Sequence, residues 1–93
     1  MKTAIVAIAF LCSTPAWAAD ECVRVGEMYY SAAFQRDQAI PQDAVTNNIR
    51  KNFASLSNHY NIELVVSAAF KHYDVSPEML QGLASSKCQD DRR

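Results

Sequence analysis

Two cysteines near the ends of a short chain set the first limit on its fold. Cys22 and Cys88 lie 66 residues apart. The third of the chain's three cysteines, Cys12, falls in a stretch that reads as a leader. With that leader removed, Cys22 and Cys88 have only each other to pair with. A bridge between them closes nearly all of the remaining chain into one loop. Closing a loop that long is worth on the order of 4 kcal/mol. Net stabilities run to about 5–15 kcal/mol, so one bridge could decide whether so small a domain is folded.

The leader has three parts. Met1-Lys2-Thr3 is a short positive start, Ala4 to Leu11 is apolar, and Ser13 to Ala18 ends in a small-x-small pattern, Ala16 and Ala18. That is the layout of a secretory signal peptide over residues 1–18, with cleavage after Ala18 or one residue later. The apolar run is about 15 residues with Pro15 inside it, short of the roughly 20 that a spanning helix needs. Lipid attachment at Cys12 wants a small residue before it, and Leu11 stands there. Residues 19–93 are then a single exported domain, periplasmic or secreted, with no membrane segment of its own. Export to an oxidising compartment also makes the disulfide available.

Charge excludes some partners. Of nine Lys and Arg against ten Asp and Glu, Lys2 leaves with the leader, so the mature net charge is −2. There is no basic footprint for nucleic acid, and no polybasic cluster for an anionic membrane.

Glycine is rare and no strand-like alternation is sustained, so helical spacing organises the chain. Asp20 and Glu21 suit the start of a first helix running to about Gln38. One stripe of that helix is Cys22, Val25, Tyr29, Ala32 and Ala33. A second, about 100° round, is Val23, Tyr30 and Phe34. Two stripes mean either a helix packed between two neighbours or one buried face and one face left for a partner. Pro41 introduces a second helix, Gln42 to Leu56, with Val45, Ile49, Phe53 and Leu56 inward and Asn47, Asn48, Arg50 and Lys51 outward. Residues 57–61 are a turn. A third helix, Ile62 to Tyr73, turns Ile62, Val65, Val66, Ala69, Phe70 and Tyr73 inward. Ser76-Pro77-Glu78 starts a fourth, with Leu80, Leu83, Ala84 and Cys88 on one side. Gln89 to Arg93 reads as a frayed tail. Ser31-Ala32-Ala33-Phe34 and Ser67-Ala68-Ala69-Phe70 repeat at a period of about 36 with a proline at a similar offset, as one αα-hairpin used twice would. The expectation is an all-α, compact four-helix arrangement of two αα-hairpins. In up-down-up-down order the two cysteines meet at one end.

No catalytic constellation emerges. C-x-x-C spacing is absent, and two paired cysteines leave no free thiol. His59 and Glu63 have ligand spacing but no third ligand, so neither a metal nor another cofactor is expected. Arg36 projects beside the first apolar stripe and must snorkel or find acceptors. With Asp37 it forms either an ion pair or helix-end cap, or a contact for an anion or partner. Tyr30 and Phe34, if exposed, form an anchor of the kind that dominates protein interfaces. Tyr30, Phe34, Arg36 and Asp37 are therefore the candidate partner-binding residues.

From Cys22 to Cys88 the chain resembles a loose class of small exported bacterial helical proteins with no established activity. The resemblance rests on Cys22, Ala32-Ala33, Arg36-Asp37, Pro41, Ser76-Pro77-Glu78 and Cys88. It departs at Ala39, where glycine is usual, so the end of the first helix could be shaped differently. In layout alone the chain is similar to acid-stress periplasmic chaperones of the HdeA type. The leading expectation is a non-enzymatic module that binds a protein partner, of inhibitor or immunity type. An acid-activated periplasmic chaperone and a small metal-binding protein are the alternatives. A helix with two apolar faces could also make a homodimer.

Overall fold

Alanines at 16, 18 and 19 are strong helix formers, and the first helix starts among them in the computed structural model, which describes residues 16–91. Most of the leader thus lies outside the described residues. Helix α1 spans Ala16–Asp37. Asp20 and Glu21 therefore sit inside the helix rather than at its start.

The end of α1 answers the departure at Ala39. Ala39 has φ 63°, the left-handed conformation usually given to glycine. Its N–H donates to the Arg36 carbonyl (3.0 Å), and the Ile40 N–H donates to Gln35 (3.2 Å). Those two bonds are a Schellman closure. The helix ends as a glycine would end it, with an alanine carrying the strain.

Helix α2, Gln42–Asn52, follows Pro41 directly. Asp43 in its first turn and Arg50 and Lys51 in its last complement the helix dipole. It stops short of the expected Leu56. Phe53 leaves the helical region (φ −125°, ψ 46°), and a 3₁₀ turn, Leu56–Asn58, follows. Asn47, Asn48 and Asn52 weaken this helix because their side chains compete for backbone bonds. The expected stripe still holds: Val45, Ile49, Phe53 and Leu56 are all buried.

Helix α3, Ile62–Lys71, is capped by Asn61, whose side chain accepts from the Leu64 N–H (3.2 Å). Ile62, Val65, Val66 and Ala69 are buried and Phe70 packs on the core from its edge. Tyr73 was expected inward and is not: it is 77% exposed. Helical register is lost at His72 (φ −99°, ψ 56°), so Tyr73 is no longer on the inward face.

Helix α4, Pro77–Asp91, starts as expected, with Ser76 Oγ accepting from the Met79 N–H (3.1 Å). It continues through Asp91, so Gln89 to Asp91 are exposed but helical rather than frayed. Leu80 and Cys88 are buried, whereas Leu83, expected on the same side, is 59% exposed.

Helix α1 touches all three others and packs most extensively on α4. Those two are antiparallel. Cys22 is bridged to Cys88 with Cα atoms 5.4 Å apart, and Gly26 faces Gln81 and Ser85. Helices α2 and α3 are also antiparallel, joined by Gln42 to Ser67 and by Arg50 to Glu63. The deepest part of the core comes from α1, α2 and α3: Met28, Ala32, Ala33, Val45, Ile49, Val66 and Ala69. Met28 lies on neither expected stripe of α1, yet it is the largest fully buried side chain.

Candidate partner-binding face

At 3.6 residues per turn, Val23, Tyr30 and Phe34 fall within about 40° of one another, nearly opposite the buried arc of α1. The structure leaves them at the surface. Val23 and Phe34 are each 47% exposed and Tyr30 is half-buried. The Tyr30 and Phe34 rings stack, with centroids 6.2 Å apart and planes 9° from parallel. One turn apart on a helix, the two rings can brace each other, so less freedom is lost when a partner covers them.

Polar groups frame this strip. Arg24 Nη1 donates to Glu27 Oε1 at 2.9 Å, and the Arg24 guanidinium lies 4.7 Å over the Phe53 ring. Gln35 Nε2 donates to Ser31 Oγ (3.0 Å), and Asn48 Nδ2 donates to Gln35 Oε1 (2.8 Å), tying α1 to α2. Asn48, expected to face outward, is part of that tie.

Arg36 is placed elsewhere. Its side chain is only 6% exposed. Nη1 donates to the carbonyls of Ala69 (2.7 Å) and His72 (3.0 Å), Nη2 to Val75 (2.9 Å), and Nε to Asp37 Oδ1 (2.9 Å). Arg36 therefore closes the C-terminal end of α3, where carbonyls lack helical partners and a cation meets the dipole favourably. Of the four candidate residues, the structure joins Tyr30 with Phe34 in the surface strip. Arg36 lies on the other side of α1, where it clamps the end of α3, and it pairs with the half-exposed Asp37 beside it.

A second feature lay beyond the reach of periodicity. A cavity of about 430 Å³ opens beside the disulfide, walled by Val25, Tyr29, Tyr60, Leu80, Leu83 and Ala84. Tyr60, in the turn before α3, closes one side, and its hydroxyl donates to Glu21 Oε2 at 3.3 Å. Burial, and then the neighbouring Tyr60, raise the Tyr29 phenol above its usual range, so it stays protonated.

His59 and Glu63 are exposed, and Glu63 pairs with Arg50 at 3.3 Å. Among the described residues no three His, Cys, Asp or Glu side chains are grouped to hold a metal ion. Among the same residues no helix is long and apolar enough to cross a membrane.

Among the described residues, fold and surface together define a class: four α-helices closed by one disulfide, with a stacked aromatic pair on the longest of them. The chain matches no family model, no curated protein and no solved structure.

Proposed function

We propose that this is an exported, non-enzymatic module that binds a protein partner through the Val23–Tyr30–Phe34 strip, as an inhibitor or immunity-type protein would. One observation carries the reading: the exposed Phe34 ring stacks on the part-buried Tyr30 ring on the side of α1 turned away from the core. Aromatic side chains on a fixed scaffold are the commonest interface hot spots. The leader and the disulfide support export to a periplasmic or extracellular setting.

Area argues about the kind of partner. Three part-exposed side chains offer far less than the roughly 800 Å² per side of a standard interface. The strip suits an anchor that enters a pocket on a different protein better than it suits the whole of a flat self-association.

The test is affinity capture from periplasmic extract at neutral pH, with the disulfide-bonded protein and its Tyr30→Ala/Phe34→Ala variant as baits. The expected result is one stoichiometric partner on the wild type that is lost from the folded variant. Equal capture by both baits would remove the strip from the function.

A further inference from the structure

We propose that the Cys22–Cys88 disulfide is a redox-operated latch: a dithiol reductant releases α4 from α1 as a unit and leaves α1, α2 and α3 folded. The proposal is independent of the partner reading. It rests on how α4 is held.

Helix α4 makes its substantial contacts with α1 alone. Its backbone runs close because Gly26 has no side chain: a Cβ there would lie 2.9 Å from the Gln81 carbonyl oxygen. The seam is nonetheless poor in buried side chains. Of fifteen residues in α4, only Leu80 and Cys88 are buried, and Cys88 is half of the bridge itself. Met79 and Leu83 are each 59% exposed, and the 430 Å³ cavity opens along the same seam. One further tie near the disulfide is a single hydrogen bond, Ser85 Oγ to the Cys22 carbonyl at 3.2 Å. At the other end Arg36 grips the Val75 carbonyl, just before α4 begins. That grip survives reduction and would act as the hinge. Four of the largest fully buried side chains, Met28, Val45, Ile49 and Val66, belong to α1, α2 and α3, which also contact one another directly.

The cavity also gives a reductant its way in. Cys88 is 9% exposed and lines the cavity, whereas Cys22 is 1% exposed. A thiolate of the reductant attacks Cys88 Sγ and the Sγ–Sγ bond breaks. Its electron pair leaves on Cys22 Sγ, which takes up a proton. The reductant's second thiol then attacks its own sulfur in the mixed disulfide, and Cys88 departs as a thiolate that is protonated in turn. Two electrons and two protons reach the protein, and the reductant leaves as a disulfide. Release of α4 exposes more of Val25 and Tyr29 on α1 and of Leu80 and Ala84 on α4, apolar side chains that line the seam in the oxidised protein.

Hydrogen exchange read by mass spectrometry tests this on the disulfide-bonded protein before and after dithiothreitol. Amides of residues 80–91 should lose protection by on the order of 10²–10³-fold, the scale of the lost loop closure. Amides of residues 45–49 and 65–69 should change by less than about tenfold. Protection lost equally along the chain would overturn the proposal, because α4 and the core would then unfold together. Unchanged protection in α4 would overturn it as well. The Cys22→Ser/Cys88→Ser variant should reproduce the reduced pattern, and failure of that variant to fold counts as loss along the whole chain.

Discussion

Arg36 makes the connection that matters most at the scale of single residues. It spans 33 to 39 positions of sequence to reach three backbone carbonyls. Lysine keeps the charge but has neither the planar fork nor the reach to three separate acceptors. Arg36→Lys should therefore cost on the order of 2–3 kcal/mol, because the carbonyls of Ala69, His72 and Val75 lose a charged donor. Asp37→Asn should cost less than about 0.5 kcal/mol, since the half-exposed carboxylate only adds a surface pair. Urea midpoints of the two variants check this, and equal losses would mean that the ion pair, not the carbonyl grip, is what counts. The sequence showed that Arg36 needed acceptors. It did not show which, since acceptors made of backbone on another helix leave no trace in side-chain pattern. Ala39 carries a similar lesson: the turn after α1 takes the left-handed form that glycine favours, although alanine stands there.

Among elements, the start of α4 and the inward stripes of α2 and α3 were legible because caps and 3.6-residue spacing are local properties. The ends were less so. Phe53 and His72 break their helices early, and Tyr73 is lost from the inward face with the second break. Those breaks depend on where the next helix must dock. The α1–α4 seam is set by one glycine, whose role is visible only once Gln81 is found opposite it. Gly26→Ala gains about 1 kcal/mol of helix propensity, but its methyl meets backbone that cannot step aside, at a cost of about 1–3 kcal/mol. The net effect should be a loss. Gly82→Ala has nothing within 4 Å of the new methyl and should gain about 0.5–1 kcal/mol. Thermal unfolding of the pair gives the contrast. A stabilised Gly26→Ala protein would mean that the seam is looser than described.

For the whole molecule, the paired cysteines and the four helices were readable because one covalent loop and one hydrophobic period leave few alternatives. The proposed partner-binding face was only half readable. Spacing put Val23, Tyr30 and Phe34 on one stripe, but whether another helix covers a stripe is a fact of tertiary structure. Here α4 lies against the Gly26 side of α1, α2 and α3 fill the rest of the buried arc, and the stripe is left outside. A partner can reach the two rings only with that placement. Urea unfolding of the Tyr30→Ala/Phe34→Ala protein measures it most directly. A half-exposed Phe34 and a part-buried Tyr30 that stack on each other should cost less than about 2 kcal/mol together when removed. The two changes should then leave a cooperative transition near the wild-type midpoint. A loss of about 6 kcal/mol or more, the scale of two core aromatic deletions, would put the rings in the core and leave no face for a partner.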